Sequence, residues 1–108
     1  MRIGRLTAAS LLAGLLSLAA RGEDWPRFLG PRADGTSHEA GLLKAWPKDG
    51  PPRVWGLEVG TGYSAPSILG NRLVLHHRVK DQEVVECFEK ATGKSLWRHG
   101  YPSGFIDP

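Results

Sequence analysis

The chain has 108 residues, a formal net charge of +3 and a single cysteine. A lone cysteine excludes an internal disulfide, so the protein is not a disulfide-stapled miniprotein. The basic excess does not indicate nucleic-acid binding, because three arginines lie in the first 22 residues and the remaining 11 basic residues balance 11 acidic ones.

Residues 1–22 have the pattern of a secretory signal peptide. Arg2 and Arg5 precede an uncharged run, residues 6–20, that is rich in Leu and Ala. The run is shorter than the ~20 residues that a helix needs to cross a bilayer, so a membrane anchor is the weaker alternative. Small residues allow cleavage after Ala19 or after Gly22, and the sequence does not choose between them. We therefore expect a periplasmic or secreted protein with no stable membrane span.

Residues 23–52 form a lead-in that is rich in Pro, Gly and Trp. Its five prolines interrupt any long helix, so the segment is expected to be irregular. Ser37 can cap a short helical turn over residues 38–45, and Asp34-Gly35 is typical of a turn.

Short runs of β-branched and aromatic residues follow, separated by turn-forming residues. The chemistry predicts strands over residues 53–59, 64–69, 72–79, 83–89 and 95–99. Turn formers occupy residues 60–62, 70–71, 80–81 and 92–94. Connections this short cannot carry a parallel crossover, so the strands are predicted to form an antiparallel meander.

The chain also repeats itself at a spacing of 42 residues, the distance between Trp55 and Trp97. A period near 40–45 residues that carries four strands is typical of a β-propeller blade. We expect an all-β fold in which residues 53–108 form the first four-stranded blade and the start of the next, as a fragment of a larger propeller. The alternative is an ordinary antiparallel sandwich with tryptophans in its core. The other matches at this spacing are Val54 with Leu96, Gly62 with Gly104, Tyr63 with Phe105, and Pro66 with Pro108.

Residues 87–97, CFEKATGKSLW, resemble the tryptophan-docking motif of pyrroloquinoline quinone (PQQ)-like propeller repeats. Cys87 and Glu89 stand where the motif usually has Ala and Asp, and the longer Glu89 is expected to hydrogen-bond the turn less well. Gly93 tolerates a positive φ and lets a neighbouring aromatic ring approach its backbone. Trp97 would stack between blades, and its truncation to Ala in the full-length protein is expected to cost about 3–5 kcal/mol.

The lead-in extends the resemblance. Residues 24–37, 41–55 and 62–68 are similar to the opening of secreted PQQ-like repeat proteins of planctomycete-type bacteria. The family includes propellers that bind no quinone and serve as scaffolds, and it also includes quinoprotein dehydrogenases. The resemblance therefore implies an extracytoplasmic binding or assembly scaffold, with the N-terminal part of a PQQ-dependent alcohol or sugar dehydrogenase as the alternative.

The dehydrogenases of the family use an adjacent cysteine pair, a calcium ion and a catalytic aspartate, and none of these maps onto this chain. No catalytic, cofactor-binding or metal residue is therefore assigned, and PQQ and calcium would belong to other blades of a full-length protein. The expected partners are those blades and a protein or small-molecule ligand at the blade-end loops.

Other reactive side chains have ordinary structural explanations. His76 and His77 are adjacent on a strand, so their imidazoles point to opposite faces and do not chelate one ion. We expect one to face solvent and the other to be partly packed, with little cost for His77→Ala. Cys87 lies in an apolar strand and is expected to be a buried, inert thiol. His38 and His99 have no acidic or cysteine partner at a recognisable metal-ligand spacing. Ser64 and Ser67 do not lie in a nucleophile-elbow motif, and the glycines of residues 60–62 do not form a phosphate-binding loop.

Overall fold

A computed structural model describes residues 22–105 of the chain. The predicted signal peptide, apart from Gly22, and the repeat match at Pro108 lie outside the described residues. Within residues 22–105 the fold is all-β, with one four-stranded antiparallel sheet. This part of the chain contains no helix with the length and apolarity needed to cross a membrane.

The strands follow one another in sequence order across the sheet, as the predicted meander requires. Two of them match their predicted bounds to within one residue, whereas the first begins at residue 67 instead of 64 and the last continues to residue 102 instead of 99. The strands are β1 Ser67–Leu69, β2 Arg72–Val79, β3 Gln82–Glu89 and β4 Ser95–Pro102.

Tight hairpins join the first three strands. Gly70 opens the β1–β2 turn with a φ of 58°, and Lys80 opens the β2–β3 turn with a φ of 55°. A positive φ at the first central residue matches the right-handed twist of the strands, as in type II′ hairpins. Lys80 adopts this conformation without the freedom of a glycine.

The strand predicted over residues 53–59 is absent, and this prediction was wrong. The segment is rich in residues that favour strands, but no strand within residues 22–105 pairs with its backbone. Val54 is exposed, whereas Trp55 is partly buried against the sheet. A strand forms only where its backbone finds a hydrogen-bonding partner, so strand-favouring residues alone do not produce a strand.

The helical turn predicted over residues 38–45 is also absent. Gly41 has a φ of 75°, which interrupts a helical backbone in the middle of the segment. The hydroxyl of Ser37 accepts from the amide of Glu39, only two residues on, and donates to the carboxylate of Glu23. An eight-residue helix without a packing partner is unstable in water, so these local contacts determine the conformation.

The Asp34-Gly35 turn is confirmed. Gly35 has a φ of 73°, and its amide donates to the carbonyl oxygen of Leu29 at 2.8 Å. One carboxylate oxygen of Asp34 accepts from both the amide and the hydroxyl of Thr36. These bonds, the backbone one first, lower the pKa of Asp34 below its ordinary value.

The small core lies on β3, where Val84, Cys87 and Phe88 are buried. Cross-strand register places Val84 opposite His77, and Glu86 and Phe88 follow on the same face. We call this the covered face, because residues 57–60 line a groove against His77, Glu86 and Phe88. Other parts of the chain hold residues 57–60 in this position.

The lead-in is attached to the free edge of β1. Trp25 and Ile68 exchange both backbone hydrogen bonds, at 3.0 and 2.9 Å. Trp25 also packs on Gly30, where a Cβ would lie 2.7 Å from the ring. The lead-in is therefore irregular, as expected, but fixed to the sheet.

Candidate docking interface

A tryptophan from outside the sheet is docked on the turn between β3 and β4. The indole nitrogen of Trp55 donates to the carbonyl oxygen of Lys90 at 2.8 Å. The ring covers Gly93, where a Cβ would lie 2.8 Å from its nearest atom. Gly93 has a φ of 75°, so both its conformation and its missing side chain are needed for this contact. We refer to Trp55, Lys90 and Gly93 as the tryptophan seam.

The turn beneath the seam is held by the residues between the two strands. The carbonyl oxygen of Glu89 accepts from the amides of Thr92 and Gly93, at 3.3 and 2.8 Å. The carboxylate of Glu89 accepts from the Thr92 hydroxyl and, at 3.4 Å, from the side-chain amide of Asn71. The longer Glu89 side chain therefore reaches the turn, and it also connects the turn to the β1–β2 hairpin.

The repeat-equivalent tryptophan is in a different environment. Trp97 lies on β4, the last strand of the sheet, and its cross-strand partner on β3 is Cys87. It is 45% exposed, and every residue of β4 is exposed. Exposed Leu96 and Tyr101 lie on the same strand. The edge strand therefore presents an apolar surface that includes the second tryptophan of the repeat.

A polar network is buried on the covered face. The backbone amide of Gly60 donates to Nδ1 of His77 at 2.8 Å. Nε2 of His77 lies 3.1 Å from Oε2 of Glu86, and the Ser95 hydroxyl donates to Oε1 of Glu86 at 2.8 Å. Because Nδ1 is an acceptor, the neutral tautomer carries its proton on Nε2 and donates it to the carboxylate. The network thus connects the segment before β1 to three strands of the sheet.

This network does not activate a nucleophile. Ser95 donates to Glu86 and not to the imidazole, whereas a serine nucleophile needs a base that accepts its proton. Both ring nitrogens of His77 already have partners. The arrangement is suited to holding a chain segment in place, and Gly60 is the residue that it holds.

His76 and His77 diverge as predicted, but the packing of His77 is stronger than expected. His77 is 6% exposed and belongs to the buried network, whereas the side chain of His76 is 42% exposed. The more exposed histidine of the expected pair is thus His76, and its packed neighbour His77 is buried instead of partly packed. Alternation along β3 places the Glu86 carboxylate on the same face as Val84 and Phe88, but it does not show that this face is covered.

A second polar group lies at the end of the sheet near the β2–β3 turn. Glu83 is 3.3 Å from Nε2 of His76 and 2.9 Å from Arg78, whose guanidinium also donates to the carbonyl oxygen of Ser103. These residues form the floor of an open cleft of about 890 Å³. The repeat-equivalent aromatic residues Tyr63 and Phe105 lie at its rim, together with Tyr101.

The remaining candidate residues have no catalytic surroundings. Cys87 is a free thiol with no exposed surface, in agreement with the expected buried cysteine. No group of three or more His, Cys, Asp or Glu side chains that could hold a metal ion occurs in the described part of the chain. His38, His99 and Ser64 are exposed, and Ser67 is a half-buried residue of β1.

A third polar cluster anchors the lead-in at Glu23. Its carboxylate accepts from Arg32 at 2.6 Å and from the hydroxyl of Ser37 and the amide of His38 at 3.2 Å each. Mainly through the Arg32 hydrogen bond, this cluster lowers the pKa of Glu23 to about 2. The sequence gives little sign of this cluster, because its members are up to 15 residues apart and share no motif.

Comparison with known proteins adds no relative. A scan against models of protein families found no match, and searches of curated proteins and of solved structures found none.

Proposed function

We propose that this chain is the opening of an extracytoplasmic PQQ-like β-propeller and that it acts as a binding or assembly scaffold. The observation that carries the proposal is the tryptophan seam. Trp55 is docked on a Thr-Gly turn of the sheet, and 42 residues later the chain places Trp97 on an exposed edge strand. A repeat whose first tryptophan is docked and whose second is exposed is suited to stacking in series.

In this proposal Trp55 supplies the contact made from the preceding side of the blade. Trp97 supplies the equivalent contact for the following unit, which would present its own carbonyl oxygen and glycine turn. Burial of a tryptophan ring and satisfaction of its N–H make such a contact both strong and directional. The exposed apolar residues of β4 would be covered by the same stacking.

The ligand-binding part of the proposal rests on the cleft at the end of the sheet. Blade-end loops are where a propeller presents variable side chains on a rigid framework. The cleft is lined by aromatic residues and by Glu83, which lies within ion-pair distance of both His76 and Arg78. Its volume, about 890 Å³, is in the range of small-molecule sites.

The assembly role is tested by changing the exposed tryptophan in the exported protein. We expect Trp97→Ser to disrupt its association or its packing against a following unit, measured by light scattering after size-exclusion chromatography and by thermal melting. Trp46→Ser is the matched control, because Trp46 is exposed and lies outside the sheet. A monomeric chain that melts cooperatively and does not respond to Trp97→Ser would contradict the proposal.

The same preparation tests whether this chain by itself has quinone-dependent dehydrogenase activity. PQQ and calcium are added with a primary alcohol or an aldose, and reduction of an electron-accepting dye is followed. We expect no dye reduction from this chain. Quinone-dependent dye reduction would overturn the scaffold proposal in favour of the dehydrogenase.

A further inference from the structure

The carboxylate of Glu39 lies against the backbone at the start of the lead-in. Oε1 of Glu39 accepts from the backbone nitrogen of Glu23 at 2.5 Å. The same oxygen would lie 3.2 Å from a Cβ placed on Gly22. Glu39 therefore accepts from the nitrogen of the Gly22–Glu23 peptide bond, and a side chain at position 22 would crowd its carboxylate, whereas Gly22 has none.

The side chain of Glu23 does not compete for this role. Its carboxylate is already hydrogen-bonded to Arg32, Ser37 and His38. The pKa of Glu23, held at about 2, keeps that carboxylate ionised and paired with Arg32 at neutral pH. Glu39 is thus the carboxylate that the fold directs to the nitrogen of residue 23.

Anchoring to the sheet starts at the same place. Asp24 accepts from the amide of Gly70 at 3.0 Å, and Trp25 exchanges two backbone hydrogen bonds with Ile68. Together with the Glu23 cluster, these contacts fix three consecutive residues to the body of the protein. Among residues 22–105, residue 23 is therefore the first that is held by several side-chain and backbone contacts.

We propose that leader removal cuts the Gly22–Glu23 bond and that Glu39 binds the α-ammonium group of the new N-terminus. This inference rests on the proposed export of the chain. A leader peptidase adds one water across the peptide bond, so that Gly22 leaves with a carboxylate on residues 1–22 and Glu23 keeps a nitrogen that is protonated at neutral pH. The small residues Ala20 and Gly22 fit the positions that such enzymes recognise.

Cleavage strengthens the contact that the fold already provides. An amide nitrogen donates one hydrogen, whereas an ammonium donates three and carries a charge opposite to that of the Glu39 carboxylate. Removal of Gly22 also opens space beside Oε1 for the new terminus. Cleavage after Ala19 would instead leave three further residues, and the ammonium would lie up to about 10 Å along the chain from the Glu39 contact.

The test begins with the intact mass of the protein exported by a bacterium. We expect a mature chain that starts at Glu23. A chain that starts at Ala20 overturns this inference while leaving export intact, and an uncleaved chain overturns export itself.

The second measurement is the labelling rate of the terminal amine with an amine-reactive reagent at pH 7. Trypsin releases residues 23–27, EDWPR, which contain no lysine, so label in this peptide reports the α-amine alone. We expect labelling to be about tenfold slower in the wild type than in Glu39→Gln, the change produced by a rise of one pKa unit in the amine. Asp49→Asn, a change at an exposed turn residue, should label like the wild type. Equal rates in the wild type and Glu39→Gln would show that Glu39 does not bind the terminus.

Discussion

Trp55 and Trp97 occupy equivalent positions of the repeat but opposite states in the structure. Trp55 is not in a strand, and yet its ring is packed on Gly93 and its N–H is bonded to Lys90. Trp97 is in a regular strand, and yet it is 45% exposed. The docked tryptophan thus faces a glycine turn, whereas no glycine of residues 22–105 lies against Trp97, although Trp97 is the one of the two that lies in a strand.

Truncation of the docked tryptophan is expected to have the largest effect. Trp55→Ala removes a ring that packs on Gly93 and leaves the Lys90 carbonyl without this donor, so the free energy of unfolding should fall by about 3–5 kcal/mol. Denaturant melts of the two proteins measure the loss. Trp46→Ala, at an exposed tryptophan, should be close to neutral. Equal small losses for both variants would contradict the seam.

The segment that carries Trp55 across the covered face has one position where a side chain does not fit. A Cβ on Gly60 would lie 1.9 Å from the carbonyl oxygen of Arg78, which accepts from the amide of Thr61. Gly60→Ala should therefore destabilise the protein by about 3 kcal/mol. Gly104→Ala, which meets nothing within 4 Å, is the control in the same melts. A stable Gly60→Ala variant would mean that the Thr61–Arg78 bridge is dispensable.

The buried network should contribute less than the seam but more than surface charges. His77→Ala leaves the amide of Gly60 without this acceptor and Oε2 of the buried Glu86 carboxylate without its imidazole partner, so we expect a loss of about 2 kcal/mol. This replaces the expectation from sequence that the substitution costs little. His76→Ala removes an exposed contact with Glu83 and should cost between 0 and about 1 kcal/mol. The prediction fails if the two alanine variants melt at the same denaturant concentration.

The smallest expected effect concerns the exposed Glu23 cluster and depends on pH. The pKa of Glu23 is lowered to about 2 in the folded protein from a reference value of 4.5. Its contribution to stability is therefore complete above pH 4.5 and is lost as the pH falls toward 2. Melts of the wild type and Glu23→Gln should differ at pH 6 and converge near pH 2. A difference that does not change over this range would exclude the ionised carboxylate as its source.

The sequence predicted the strands whose signals are local. β2 and β3 appear at their predicted positions because short runs rich in strand-forming residues, separated by a two-residue turn, specify a hairpin without reference to the rest of the chain. The segment over residues 53–59 is equally rich in strand-forming residues, but whether it becomes a strand depends on backbone pairing with a part of the chain that is distant in sequence. The prediction failed at the point where a long-range hydrogen bond was needed.

The candidate interface was predictable only in part. The spacing of Thr92, Gly93 and Trp97 indicated a turn that accepts an aromatic ring, and the expectation that Gly93 permits such an approach is confirmed by Trp55. Sequence did not indicate that His77 is buried, because burial depends on which face of the sheet the preceding segment crosses. Alternation fixes the relative face of two residues but not which face is covered.

The edges of the sheet differ in a way that limits how copies of the chain could join by strand pairing. At β1 the backbone groups of Ile68 are used by Trp25, and further along β2 those of Arg78 are used by Thr61. Within residues 22–105, β4 is left as the long unpaired edge, eight residues with all side chains exposed. Two copies joined β4 to β4 would form an eight-stranded sheet related by a two-fold axis, with an occupied β1 edge at each end. Edge pairing would therefore stop at a dimer and would not continue into a fibre.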